Sequence, residues 1–175
     1  MTEYAITAVG ADRPGIVAAI SGALLEIGGN LEEMRAALLR GSFATVLAVD
    51  VPDGIGAAEL ERALRPVADD LGLGLWVGPA APRSEGPPRE RCVLSVYGAD
   101  RPGIVSGITG ALAERRANVI DLSARLVGEP PIYVLGIELE LPPSLAAGEL
   151  GRSLLGLARE LGVELSIESE EDELL

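Results

Sequence analysis

The chain has 175 residues, 48% of them hydrophobic, with 14 basic against 27 acidic side chains, a formal net charge of −13 and only 3% aromatics. This suits a globular protein with room for one ordinary domain or two small ones, and it leaves no basic surface for phosphates and few rings for stacking bases, so direct nucleic-acid binding is not expected. There is no His, no Lys and a single Cys, which removes the common metal ligands, the Ser-His and Cys-His nucleophile systems and the usual general base.

No cofactor is expected from that inventory, and the candidate acid–base carboxylates Asp12 and Asp100 have no obvious second member, so an enzyme is not expected. Cys92 lies in the apolar run 92–97 and reads as a packing residue. One Cys forms no internal disulfide, which suits a reducing compartment. The start Met1-Thr2-Glu3-Tyr4 runs into a strand pattern without a basic or apolar leader, and no apolar run is long enough to span a bilayer. The expectation is a cytoplasmic protein with no membrane partner.

From the N-terminus, 4–9 is a β-favouring run and 10–15 a loop. Ile16, Ala19, Ile20, Ala23, Leu24 and Ile27 then recur at the spacing of one helix stripe. Gly28-Gly29-Asn30 stops that helix. Residues 31–39 and 43–51 read as strands around the hairpin signal Arg40-Gly41-Ser42, followed by a helix over 57–71 and a strand over 72–77. A second series follows: strand 91–97, helix 104–115, strands 119–127 and 132–141, helix 144–161 and strand 163–168. Pro130 and Pro131 fall at its hairpin, where a missing N–H is tolerated.

The second series is a copy of the first. Gly-Ala-Asp-Arg-Pro-Gly-Ile-Val stands at 10–17 and again at 98–105, and Ile20, Gly22, Ala23, Leu24, Glu26 and Asn30 recur at the same offset as Ile108, Gly110, Ala111, Leu112, Glu114 and Asn118. A repeat of this length is a duplicated domain. Right-handed crossovers applied to β-α-β-β-α-β give an α+β fold: two ferredoxin-like domains, each an antiparallel four-stranded sheet with its helices on one face. The expected division is a first domain at 1–78, a Pro-rich extended linker at 79–90, a second domain at 91–168 and a solvated acidic tail at 169–175. Each half is near the size at which a lone core is marginal, so the halves are expected to pack on each other, on a second chain, or both.

Both copies keep the loop. Pro14 suits a first helical turn, Gly15 lets a ligand approach the backbone, and a helix start favours an anion. Asp12 adds a carboxylate that can accept from an ammonium group, so the loop offers partners to both ends of a free α-amino acid. The alternative is that Asp12 only caps its helix. Asn30 and Asn118, the chain's only asparagines, either hold a ligand's polar end or stop a helix in the left-handed conformation.

The string Ile6–Val17, with Asp12-Arg13-Pro14-Gly15-Ile16 between strand and helix, resembles the ACT domain, an amino-acid-binding regulatory module. With Asn30-Leu31-Glu32-Glu33-Met34-Arg35 and Phe43 beyond it, it resembles the first ACT domain of the glycine cleavage system transcriptional repressor family, whose layout is two ACT domains and little else. The resemblance implies a small amino acid as ligand, of the glycine or serine class. It also implies action through a partner such as a transcription factor, and a ligand site at a seam between one domain's loop and a neighbour's strand would make the protein a homodimer. The resemblance places ligand contacts at Asp12, Gly15, Ile16 and Asn30, and at Asp100, Gly103, Ile104 and Asn118. One departure is that Gly10 and Gly98 stand where some serine-binding members carry His. A ligand-free ACT oligomerisation module is the other reading.

Overall fold

The structure is a computed structural model that describes residues 1–81 and 89–169. It divides into two compact units, 1–84 and 85–175. Most of the expected linker and all but the first residue of the acidic tail lie outside the described residues.

In unit 1, β1 (Thr2–Ala11) leads to α1 (Ile16–Glu26), β2 (Asn30–Leu39), β3 (Ser42–Val51), α2 (Ala57–Leu71) and β4 (Gly74–Pro79). Unit 2 repeats the order with β5 (Arg91–Gly98), α3 (Ile104–Glu114), β6 (Asn118–Val127), β7 (Ile132–Glu140), α4 (Ala147–Leu161) and β8 (Val163–Ser169). The sheets run β2-β3-β1-β4 and β6-β7-β5-β8, antiparallel throughout. These are the two α+β units expected from the sequence.

Period-two alternation builds the sheets. On β3, Phe43, Leu47, Val49 and Val51 are buried, and Ala44, Val46, Ala48 and Asp50 face the other way. Thr45 is the one buried polar residue among those described, and its hydroxyl donates to the Arg35 carbonyl at 2.8 Å. The helices answer with one stripe each: Ile16, Ile20 and Leu24 on α1, and Leu60, Leu64 and Ala68 on α2. Unit 2 buries Ile104, Ile108 and Leu112 beside Leu150, Leu154 and Ala158. Burying each such Leu or Ile contributes roughly 1.5–3 kcal/mol. Cys92 is 1% exposed within that second core.

Some boundaries move. Strand β1 extends through Ala11, because Gly10 and Ala11 still pair with Phe43 and Ser42. The hairpin turn shrinks to Arg40 and Gly41, both at positive φ (50° and 80°), as a tight two-residue hairpin requires. Helix α4 begins at Ala147 rather than Ser144. Residues Pro142–Leu145 form a turn instead, closed by the Leu145 N–H donating to the Pro142 carbonyl at 3.0 Å, and the Glu90 carboxylate accepts from the Ala147 N–H at 3.2 Å.

Candidate functional site

The β1–α1 loop lies at the end of the sheet that also carries the β2–β3 hairpin. The Asp12 N–H donates to the Gly41 carbonyl at 2.9 Å, tying loop to hairpin. Pro14 sits outside the helix, not in its first turn. The residue before Ile16 is Gly15, at φ 95° and ψ −6°, and no side chain caps α1. Unit 2 repeats this with Gly103 at φ 98° and an α3 that is equally uncapped. A Cβ at either glycine would meet nothing within 4 Å. The positive φ, rather than crowding, is what calls for glycine there.

This geometry removes the two structural explanations left open by the sequence. Asp12 and Asp100 stand three residues ahead of the cap positions and cap nothing. The first-turn amides of α1 and α3 are left without a side-chain acceptor. Asn30 and Asn118 are not helix stops either. Gly28, at φ 74°, performs that task in unit 1, and Arg116, at φ 57°, performs it in unit 2. Each asparagine is instead the first residue of an edge strand, opposite Asp50 and Glu140 respectively. The Asn30 amide donates to the Glu32 carboxylate.

Asp12, Arg13, Gly15, Val17, Ala18 and Phe43 border an open hollow of about 520 Å³ beside the helix start, with Ile16 at its base. Asp12 and Gly15 are exposed. Ile16 and Ile104 are each 2% exposed and belong to the cores. Their side chains are packing residues, and what they can offer a ligand is the main-chain amide. Gly10 and Gly98 have their own reason. A Cβ at Gly10 would lie 2.8 Å from the Gly72 carbonyl oxygen, and one at Gly98 would lie 2.9 Å from Val163 Cγ1. A larger residue does not fit at either place.

One expected grouping is not made within a unit. Ala11 pairs with Ser42 at one end of β3, and Asn30 pairs with Asp50 at the other. At about 3.4 Å per residue the two ends are roughly 27 Å apart. Asp12 with Gly15, and Asn30, therefore face opposite ends of the same sheet, and unit 2 separates Asp100 from Asn118 in the same way. The Asn30 end also holds an ion pair between the Met1 ammonium and Asp53 at 2.9 Å. Hydrogen bonding and charge attraction from that partner hold the Asp53 carboxyl below the usual carboxylate range and raise the amine.

Phe43, which lines the hollow, has Tyr133 at its register position in unit 2. Alternation along the strand was the signal that could have found both. Among the described residues no cluster of three His, Cys, Asp or Glu side chains is arranged to hold a metal. Among the described residues no helix is long and apolar enough to cross a membrane.

The comparisons with known proteins agree with this architecture. Over 168 residues the chain is 28% identical to the glycine cleavage system transcriptional repressor of Escherichia coli, covering 93% of this chain and 87% of that protein. Over 78 residues, 44% of this chain and 87% of the relative, it is 38% identical to a UPF0237 protein of Methanopyrus kandleri. A crystal structure of an unknown protein from Galdieria sulphuraria superposes with a TM-score of 0.84 at 27% identity, covering 96% of this chain and 98% of that one. The family model for the ACT domain matches twice, at residues 4–77 and 90–168. The chain belongs to the ACT-domain family, with one complete ACT domain in each half.

Proposed function

We propose that this protein is a non-enzymatic sensor of a small amino acid, of the glycine or serine class, that signals by changing how it docks on a partner protein such as a transcription factor. The observation that carries this reading is the twice-built loop. In each unit an uncapped helix start at a left-handed glycine stands beside an aspartate that caps nothing. Main-chain amides suit a carboxylate, and the aspartate suits an ammonium group.

The distant asparagines fit the same reading if the ligand lies at a seam between ACT units in a dimer. Antiparallel pairing of one β2 edge with the edge strand of a neighbouring unit brings the start of one strand to the neighbour's loop end. Strand β2 has the character of such an edge, with nearly all its residues exposed. Beside it, α1 carries only Glu26 as a charged residue, yet leaves Val17 43% and Leu25 75% exposed. A helix apolar all round is normally a covered one. A seam site makes occupancy depend on docking, which any ligand-driven switch requires.

Glycine has about five heavy atoms, which caps its binding at about −7.5 kcal/mol, or several micromolar. That range suits detection of a metabolite. Calorimetry with glycine and serine tests the reading on the wild type, on Asp12→Ala/Asp100→Ala, and on Asn30→Ala/Asn118→Ala. Micromolar-to-millimolar binding that weakens about tenfold or more in both double variants is expected. Unchanged affinity in the aspartate pair overturns the loop assignment and favours a ligand-free oligomerisation module.

A further inference from the structure

The faces of the two sheets turned away from the helices differ. In unit 1 one cross-strand row reads Arg35, Val46, Thr7, Trp76, and the next reads Glu33, Ala48, Ala5, Gly78. In unit 2 the same registers read Ser123, Gly136, Ser95, Ser166, and then Asp121, Glu138, Val93, Glu168. At these two registers unit 2 has no aromatic and only Val93 as an apolar side chain, its exposed Tyr97 lying one row away, so folding does not demand the strip that unit 1 carries at this place. Yet Trp76 is 56% and Val46 54% exposed. An indole left in water on a flat sheet face marks an interaction surface.

The row has a self-complementary form. Trp76 lies at one end, on edge strand β4, and Arg35 at the other, on edge strand β2. The indole leans along β4 over Gly78, where any Cβ would collide with the ring. Arg35 is exposed, and its guanidinium forms no ion pair or hydrogen bond among the described residues. Beside the row lies a hollow of about 410 Å³ floored by Ala5, Val46 and Ala48, with Glu33 and Arg35 on its β2 side and Glu3, Ala80 and Ala81 on the other.

We infer that a second copy of this chain docks on this face. The two-fold axis would run parallel to the strands, and each Trp76 would seat in the other copy's hollow against Arg35. That axis lays β4 over the partner's β2 and β1 over its β3, so the row meets itself reversed. Trp76 then faces Arg35 twice, a planar cation against an aromatic face. Val46 meets Thr7, and the small residues between allow sheets to pack about 10 Å apart. Four strands at about 4.8 Å and about eight residues at 3.3 Å cover roughly 500 Å² per copy, about 1,000 Å² in all, which reaches the lower range of specific interfaces. This surface is separate from the strand-edge seam, and its test needs no amino acid.

Trp76 is the chain's only tryptophan, so its emission reports this contact alone. Sedimentation and fluorescence are measured over a dilution series reaching about 100 µM, on the wild type and on Arg35→Ser and Ala48→Glu, which place unit 2's own kind of residue in unit 1. The expected wild type self-associates, and its emission moves to the red as it is diluted. Both variants should associate about tenfold or more weakly, with melting unchanged at dilutions where wild type and variants are all monomeric. The proposal is overturned by a wild type whose emission does not change with concentration, whether exposed or buried. It is equally overturned by variants that associate as tightly as the wild type.

Discussion

The helix-facing sides of the two units match almost position for position. Ile16, Ile20 and Leu24 stand where Ile104, Ile108 and Leu112 stand, and Leu60, Leu64 and Ala68 where Leu150, Leu154 and Ala158 stand. The opposite faces share little: Trp76 stands against Ser166, Ala48 against Glu138 and Gly78 against Glu168. Close packing explains the first half of this contrast, since a core tolerates few changes of volume. The second half follows from what each face meets. A face in water accepts Ser and Glu freely, whereas one that holds Trp beside Ala and Gly has shape and apolar area to offer. The loops fall with the cores, since both carry Asp, Arg, Pro and Gly in order and both hold the glycine at the same backbone angles.

The comparison can be broken at three depths. Truncating matched core residues, Leu24→Ala and Leu112→Ala, should cost about 2–5 kcal/mol each in denaturant unfolding. A cost well below that in one unit would mean its core is not the tight packing described. At the loops, Gly15→Ala and Gly103→Ala should each cost about 1–2 kcal/mol, because φ near 95° strains any residue with a Cβ although the space is open. Gly22→Ala, in mid-helix with equally open space, should instead stabilise by about 0.5–1 kcal/mol. The same sign at Gly15 and Gly22 would remove the conformational argument. The smallest effect is at the helix stops, where the units differ. Arg116→Gly, which gives unit 2 the residue that unit 1 has as Gly28, should raise thermal stability by up to about 1 kcal/mol. The reverse change, Gly28→Arg, should lower it, since a Cβ there would also press on Pro52 at 3.3 Å.

Much of the fold was legible in the residues because its signals are local. Stripe spacing on 16–27, alternation on 43–51 and the turn at Arg40-Gly41 each act within a few residues. The misplaced helix start at Ser144 came from a partner far away in sequence, Glu90, acting with the turn that begins at Pro142. The candidate site was half legible. The octapeptide exposed the loop, but Asp12 as a cap and Asn30 as a helix stop were equally good local readings. Only the cap position of Gly15 and the left-handed turn at Gly28 excluded them. Ile16 and Ile104 were drawn into the expected contact set by their place in the motif, and burial returns their side chains to the core. Nothing in the sequence couples Trp76 to Arg35, because they are far apart along the chain and share a row only through β1 and β3.

The amino-acid sequence by itself determined that there are two domains, what elements they contain and where their loops fall, since repeats, periodicity and turn chemistry are written in neighbouring residues. The tertiary structure alone decided that Asp12 and Asn30 lie at opposite ends of one sheet, and that Trp76 and Val46 share a row in one unit where the other unit has Ser166 and Gly136. The reason is register. Element order and crossover handedness say which strands become neighbours, but pairing joins residues dozens of positions apart, and no local pattern encodes which of them share a row.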